Sequence, residues 1–160
     1  MDNNGVKILD ATCGSRMFWF DKNEPHTTYI DNRSEQCTLC DGRLLQISPD
    51  IITDCTHTVF PNNTFSMVVF DPPHLARVGD KAWLRKKYGK LPNDWRRFLL
   101  ESMTELMRVL KVGGTLIFKW NEQQIKLSEV LSAIEPYQPL FGNRTRTNGN
   151  TIWLVFMKFQ

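Results

Sequence analysis

Four short apolar segments, each leading to an aspartate, constrain the fold of this chain more than any other feature. The segments are rich in β-branched and aromatic residues, a composition typical of strands buried in a sheet. They lead to Asp10, Asp31, Asp54 and Asp71. Because ligands of an open parallel sheet bind beyond the carboxyl ends of its strands, we expect these aspartates to gather at one site.

The second half of the sequence alternates helical and strand patterns. The predicted elements are a helix over 95–110, a strand over 116–120, a helix over 125–134 and a strand over 151–159. Asn93 or Asp94 caps the first helix, and the pair Gly113-Gly114 ends it. Pro136 ends the second helix. The connection from 137 to 150 contains no helical pattern, and we expect a turn there.

Strands that alternate with helices favour an α/β fold with a doubly wound, mostly parallel sheet covered on both faces. The connection before the last strand is too short for a crossover helix, so this strand should enter antiparallel. Residues 32–49 interrupt the alternation and predict a loop or a small hairpin. A chain of 160 residues is long enough for one core, so we expect a single domain over 1–160.

The composition points to a protein of the cytoplasm. No apolar run approaches the length that spans a bilayer, so we expect no membrane partner. The first four residues are polar, and we expect no signal peptide. The four cysteines should then stay reduced. Cys37 and Cys40 form one Cys-x-x-Cys pair without a second pair at ligand spacing, so we expect no metal.

The tetrapeptide Asp71-Pro72-Pro73-His74 follows the fourth strand and joins a carboxylate to a rigid turn. Proline fixes φ at about −65° and favours extended geometry in the residue before it, so the turn keeps its carbonyls aimed outward. An amine with a delocalised lone pair becomes a usable nucleophile when two fixed acceptors take its hydrogens. Asp71 Oδ and the Pro72 carbonyl are candidates for these acceptors. The motif alone is equally compatible with a strand end that carries an incidental carboxylate.

The first turn and the acidic strand ends indicate a nucleoside cofactor. Asp31 lies 21 residues after Asp10, a spacing at which an acidic residue accepts hydrogen bonds from ribose hydroxyls. Gly14 stands alone rather than in a Gly-x-Gly-x-x-Gly run, which disfavours NAD and FAD. A lone glycine fits a zwitterionic group such as the methionine part of S-adenosylmethionine, whose carboxylate Arg16 is placed to pair with. Asp54 is placed to accept from an adenine amino group.

Positive charge is concentrated directly after the Asp-Pro-Pro-His turn. Residues 75–97 hold eight basic side chains against two acidic ones, a net charge of +6 in a chain whose net charge is +3. Arg85, Lys86 and Lys87 form the densest part of this basic segment. The placement favours a phosphate-bearing substrate, and a solvated loop and helix face has the same composition.

Five motifs together resemble those of class I S-adenosylmethionine-dependent methyltransferases, over residues 6–120. They are Asp10-Ala11-Thr12-Cys13-Gly14, Asp31, the Asp54 region through Phe65, Asp71-Pro72-Pro73-His74 and Leu110-Lys111-Val112-Gly113-Gly114. The resemblance implies a Rossmann-like fold, S-adenosyl-L-methionine as cofactor, and cofactor contacts from the first three motifs and Arg16. The runs 13–22, 39–43 and 118–122 also resemble small methyltransferase-like proteins of bacteriophages and prophages.

In that superfamily an Asp/Asn-Pro-Pro-aromatic motif implies N-methylation of an exocyclic base amine, such as adenine N6 or cytosine N4, in DNA or RNA. The aromatic residue stacks on the extruded base. Here His74 stands at that position, stacks weakly and titrates near neutral pH. Trp83, Tyr88 and Trp120 are alternative stacking residues. The chain shows no separate target-recognition domain, so a single-stranded or structured nucleic acid is the expected partner.

Two other functions stay open at this stage. One is an amine methyltransferase that acts on a protein or a small molecule, with His74 in a different acceptor pocket. The other is a non-catalytic module that binds nucleic acid or a partner on the same fold. Salt-sensitive binding to single-stranded nucleic acid distinguishes the first from nucleic-acid methylation, and nucleic-acid binding without cofactor or methyl transfer identifies the second.

Overall fold

The computed structural model describes residues 5–77, 79, 83–147 and 149–160, without the side chains of Trp83, Leu84 and Tyr88. The strands are β1 (Ile8–Asp10), β2 (Thr27–Asp31), β3 (Glu35–Thr38), β4 (Leu44–Ile47), β5 (Ile51–Ile52), β6 (Phe65–Phe70), β7 (Leu110–Asn121), β8 (Phe141–Arg144) and β9 (Thr151–Met157). The helices are α1 (Trp83–Tyr88), α2 (Trp95–Val109) and α3 (Leu127–Ala133). No helix among these residues has the length and apolar character needed to cross a bilayer.

A seven-stranded sheet in the order β5-β2-β1-β6-β7-β9-β8 forms the centre of the structure. β1 pairs in parallel with β2 and β6, β5 pairs in parallel with β2, and β7 pairs in parallel with β6. β9 is antiparallel to both β7 and β8. The predicted α/β fold, with a mostly parallel sheet and an antiparallel last strand, is confirmed.

The main core lies between one face of the sheet and α2. The helix begins at Asp94, whose side chain accepts from the Arg97 backbone N–H, so Asp94 is the predicted cap. Leu99 and Met103 of α2 share a buried cluster with Phe118 of β7. Burial of each such side chain contributes about 1.5–3 kcal/mol, so this helix holds the centre of the sheet.

The opposite face has a different cover from the one predicted. All described helices follow β6, and α2 packs against α3. The turns after β1 take the place of a helix: the Phe18 ring meets Trp153 edge to face at 5.6 Å, and Trp19 meets Tyr29 at 5.3 Å. The connection from β2 to β5 contains the β3–β4 hairpin, which confirms the predicted small hairpin. The described part of the sheet is therefore covered by helices on one face and by aromatic turns on the other.

Two other boundaries differ from the sequence prediction. β8 lies in the connection for which the sequence predicts a turn. The sequence does not indicate this strand because all four of its residues are exposed and show no apolar alternation. α2 ends at Val109 rather than at Gly113-Gly114, and the glycines bend β7 instead. Gly113 has φ +78°, and a Cβ on Gly114 would lie 2.8 Å from the Lys111 backbone carbonyl oxygen. Both positions therefore require glycine at the bend.

A charged network fastens α2 to the connection between β5 and β6. Glu105 is 8% exposed, and its Oε1 accepts from the Thr58 backbone N–H at 2.7 Å. Arg108 donates to both carboxylate oxygens of Glu105 at 2.7 Å and to the Phe60 carbonyl at 2.9 Å. The hydrogen bonds from Arg108, and further ones from Thr58, lower the pKa of Glu105 to about 2.

We predict that Glu105→Gln lowers the free energy of unfolding by about 2 kcal/mol at pH 7, because a buried charge-assisted pair is lost. A carboxyl whose pKa is lower in the folded state stabilises the protein at pH values above its unfolded pKa of 4.5. This stabilisation is lost as the pH falls toward 2. Urea unfolding between pH 2 and pH 7 measures both effects. Glu101→Gln is the matched control, since the Glu101 side chain, which pairs with Arg97, is 47% exposed. This variant should change stability by less than about 0.5 kcal/mol. Equal stability of Glu105→Gln and the wild type would contradict the prediction.

Candidate active site

A cavity of about 350 Å³ lies at the carboxyl ends of the parallel strands. Its lining comes from the segments that follow β1, β2, β5 and β6, together with part of β7. Three of the four aspartates expected there, Asp31, Asp54 and Asp71, line this cavity, and so do Pro72 and Pro73. The structure therefore brings the double-proline turn and the acidic strand ends to one place. This volume suits a bound small molecule.

Asp10 lies beneath the cavity rather than in its lining, which corrects its predicted role as a cofactor contact. It is 0% exposed, and its Oδ2 accepts from Trp19 Nε1 at 2.7 Å while Oδ1 accepts from the Thr12 backbone N–H at 3.2 Å. Burial, helped by the nearby charges of Asp71 and Asp31 and opposed by the hydrogen bonds from Trp19 and Thr12, raises the pKa of Asp10 to about 7. Asp10 shapes the turn after β1 instead of contacting a ligand.

The turn after β1 forms one wall of the cavity. Ala11, Thr12, Cys13 and Gly14 line it. Gly14 has φ +49° and open space where a Cβ would be, so a ligand can approach the backbone there. Its N–H donates to Asp31 Oδ2 at 2.9 Å, which joins this turn to the end of β2. Burial raises the pKa of the Cys13 thiol to about 12, so Cys13 acts as a small apolar wall residue.

Arg16 does not line the cavity, which corrects its predicted pairing with a cofactor carboxylate. Its guanidinium donates to the Lys22 carbonyl at 2.6 Å and to the Ser48 carbonyl at 2.8 Å, and it contacts Asp50 at 3.3 Å. The same group stacks over the Tyr29 ring at 3.7 Å. These contacts hold the segments before β2 and β5 together, so the side chain is committed to the fold.

Asp71 is tied to two neighbouring strands. Its backbone N–H donates to Thr12 Oγ1 at 2.9 Å, and its carboxylate accepts from Lys119 Nζ at 2.6 Å. Burial raises the pKa of Asp71, and Lys119 opposes this rise. Sequence reasoning missed Lys119. The alternation of β7 carried the signal, because burial of Phe118 and Trp120 on one face places Lys119 on the other, beside Asp71.

His74 also lines the cavity. Burial lowers the pKa of His74 to about 4, and the nearby charge of Lys119 contributes to this shift. The predicted titration near neutral pH is therefore wrong, and His74 is neutral at pH 7. A neutral imidazole carries one donor nitrogen and one acceptor nitrogen.

Several described residues of the basic segment lie at the cavity. Arg85, Lys87 and Lys90 line it, whereas Lys86 is exposed outside the lining and accepts from Arg33 through its carbonyl. Within the segment, the Leu91 N–H donates to the Leu75 carbonyl at 3.0 Å. A Cβ on Gly89 would approach Pro73 Cγ to 3.0 Å, so the segment packs directly on the double-proline turn.

Trp120, one of the three predicted aromatic stacking residues, does not reach the cavity. Trp120 is 1% exposed and belongs to the core, where its Nε1 donates to the Ile125 carbonyl, so it cannot stack on a base. The side chains of Trp83 and Tyr88 lie outside the described residues. Phe18 and Phe98 of α2 are aromatic residues that line the described part of the cavity.

The Cys-x-x-Cys pair lies away from this cavity. Cys37 is on β3 and half-buried, and Cys40 is exposed in the turn of the hairpin. Across residues 5–77, 79, 83–147 and 149–160, no three His, Cys, Asp or Glu side chains form a group that could hold a metal ion.

We predict that Asp10→Asn flattens the pH dependence of stability. An acid whose folded pKa is raised stabilises most below its unfolded pKa, 3.8 here, and this contribution is lost as the pH rises toward 7. The amide oxygen can accept from Trp19 but leaves the Thr12 N–H without its acceptor, a loss that does not vary with pH. Because the amide carries no charge, the free energy of unfolding of the variant should rise from pH 4 to pH 8 by on the order of 2 kcal/mol relative to that of the wild type. Urea titrations across this range measure the difference. Asp21→Asn, at an exposed position, is the control, and parallel curves for Asp10→Asn and wild type would refute the assignment.

Comparison with solved structures supports the α/β fold described above. No protein-family model matches the sequence, and no curated protein matches it. Among solved structures, PH0226 from Pyrococcus horikoshii OT3 is similar with a TM-score of 0.60 and 14% identity, over 95% of this chain and 81% of that chain.

Two further structures are methyltransferases by their descriptions. N-methyltransferase NodS from Bradyrhizobium japonicum WM9 has a TM-score of 0.58 and 15% identity, over 97% of this chain and 86% of its own. The T. thermophilus 16S rRNA N2 G1207 methyltransferase RsmC, in complex with AdoMet and guanosine, has a TM-score of 0.57 and 14% identity, over 100% of this chain and 37% of its own. The chain therefore has the Rossmann-like fold found in S-adenosylmethionine-dependent methyltransferases.

Proposed function

We propose that this protein is an S-adenosylmethionine-dependent N-methyltransferase that acts on an exocyclic base amine of single-stranded or structured nucleic acid. One observation carries the proposal: the Asp71-Pro72-Pro73-His74 turn lines the same cavity as the Gly14 turn and Asp31. A methyl donor and an amine acceptor would then meet inside one enclosure. The fold shared with known methyltransferases supports the cofactor class.

The residues of the cavity fit S-adenosylmethionine. Gly14 leaves open backbone at the turn after β1. Asp31 accepts from the Gly14 N–H through Oδ2 and from the Arg33 N–H through Oδ1, and each oxygen keeps a lone pair for ribose hydroxyls. Asp54 lines the same cavity and offers a carboxylate to an adenine amino group. When bound, the cofactor supplies a methyl group that its sulfonium already activates for transfer to a nucleophile.

The double-proline turn supplies the positioning of the acceptor. Asp71 accepts one hydrogen of the amine, and we assign the second to the Pro72 carbonyl, so that the nitrogen lone pair is held toward the methyl group. Thr12 fixes the start of this turn through its bond from the Asp71 N–H. Catalysis then depends on orientation more than on proton transfer.

Charge around the cavity supports a nucleic-acid substrate. Arg85, Lys87 and Lys90 line the cavity on a segment that packs against Pro73. Cations that line the same cavity as the double-proline turn suit the phosphates on either side of an extruded base. RsmC, a similar structure, methylates an amine of rRNA according to its description. A protein or small-molecule amine has less need of this clustered charge.

We predict that Asp31→Asn weakens binding of S-adenosylhomocysteine about tenfold or more in isothermal titration calorimetry, because the charged acceptor for the ribose is lost. Asn keeps a carbonyl for the Gly14 N–H, so the turn stays in place. Asp31→Ala should abolish binding. Asp41→Ala, on the exposed turn of the hairpin, is the control and should bind as the wild type does. Unchanged affinity of both Asp31 variants would discard the cofactor site.

We predict that Asp71→Ala lowers methyl transfer by about a hundredfold or more, the order expected when a positioning contact of the reaction is lost. Affinity for S-adenosylhomocysteine should change less than about threefold. Transfer of labelled methyl groups to a panel of single-stranded DNA, RNA and protein measures the effect. An active Asp71→Ala protein would rule out the amine-holding role. Transfer by the wild type to protein alone would rule out the nucleic-acid substrate.

A further inference from the structure

Lys119 lies near the carboxyl end of β7, on the cavity side of the sheet. Phe118 pairs with Phe70, so Lys119 is the neighbour of Asp71 on the adjacent strand. Its Nζ donates to Asp71 Oδ2 at 2.6 Å, and both side chains are 23% exposed and line the cavity. The pair therefore faces any group that enters beside the double-proline turn.

Aromatic rings hold the ammonium from the other side. Lys119 Nζ lies 5.4 Å from the centre of the Phe18 ring and 5.6 Å from that of Trp153. At such distances the ring faces attract a cation. The two rings also contact each other edge to face. The ammonium is thus kept next to Asp71 by contacts that do not depend on Asp71 alone.

The two side chains present complementary hydrogen-bonding groups. An ammonium carries three N–H donors, and the bond to Asp71 uses one of them. Asp71 accepts from Lys119 through Oδ2, and its other oxygen and further lone pairs can accept from a ligand. An acceptor and a donor therefore lie side by side at the position assigned to the substrate amine.

We propose that Lys119 is a positioning residue for the acceptor base, donating a hydrogen bond to the ring nitrogen adjacent to the amine that Asp71 holds. The inference rests on the proposed function and names the edge of the base that is read. In adenine the N6 amine lies next to the unprotonated N1 and N7, and in cytosine the N4 amine lies next to N3. Thymine and uracil carry no exocyclic amine and so offer no nitrogen of this kind for methylation.

The charge balance at this end of the cavity agrees with an uncharged base. Asp71 and Lys119 carry opposite charges at a distance of 2.6 Å. His74 adds no charge at pH 7, since burial and Lys119 lower its pKa to about 4. A protonated lysine or arginine substrate would instead meet the Lys119 ammonium and be repelled.

Deaza analogues test the proposed contact directly. Fluorescence anisotropy would measure binding of short labelled oligodeoxythymidines that contain one adenine or one cytosine, with S-adenosylhomocysteine present. The adenine is then replaced by 1-deazaadenine or 7-deazaadenine, and the cytosine by 3-deazacytosine, each of which keeps the amine and loses one ring acceptor. We expect one of these replacements to weaken binding by the wild type about tenfold.

Variants assign the effect to the lysine. Lys119→Met should bind the parent and the analogue with equal affinity, and Lys119→Arg, which keeps donors on a cation, should restore the discrimination. Lys111→Met, at the other end of β7 with its Nζ on the Gly5 carbonyl, is the matched control and should discriminate as the wild type does. Thermal unfolding of each variant checks that the fold is retained.

Each outcome distinguishes this inference from the proposed function. If the wild type binds parent and analogues equally, or if Lys119→Met still discriminates, the lysine is only the ion-pair partner of Asp71 and the inference is overturned. The proposed function is untouched by that result. If no oligonucleotide binds, the nucleic-acid function fails, and the assignment of Lys119 fails with it.

Discussion

Parallel pairing of β1 with β2 and β6 is the constraint on which the site depends, because it sends three chain reversals out of the same edge of the sheet. The reversals are then joined across the strands. The Gly14 N–H donates to Asp31 on the turn after β2, and the Asp71 N–H donates to Thr12 on the turn after β1. A cavity wall made from three loops is thereby held by the sheet and by two side chains, without a helix between β1 and β2.

Gathering acids at one edge has an electrostatic cost that the structure reduces in two ways. Asp10, Asp31 and Asp71 lie close enough for their charges to repel, and burial raises the pKa of Asp10 to about 7, so a fraction of that carboxyl is neutral at physiological pH. Asp71 is balanced by Lys119 at 2.6 Å. Asp31 has partners in the Gly14 N–H and in Arg33, whose Nε lies 3.8 Å from Asp31 Oδ1.

Much of the fold could be predicted because strand periodicity and caps are local signals, as the segments before Asp31 and Asp71 and the Asp94 cap illustrate. The convergence of the strand ends followed from topology alone. The direction of individual side chains did not follow from topology. Arg16 lies in the turn after β1, as expected, but its guanidinium reaches the segments before β2 and β5, and Trp120 points into the core. Lys119 was missed because its role comes from its neighbour on the adjacent strand, which a single sequence does not display.

The position of Lys119 depends on a local irregularity in β7. Pairing of β6 with β7 starts at Phe65 beside Leu110 and resumes at Met67 beside Thr115, three residues further along β7 than straight pairing would give. Three is odd, and side chains alternate between faces with a period of two, so the shift exchanges the two faces of β7 relative to β6. Without the glycine bend, the face that now carries Lys119 to the cavity would turn toward α2. The paired glycines therefore determine which side chains of β7 meet Asp71, although they lie at the far end of the strand.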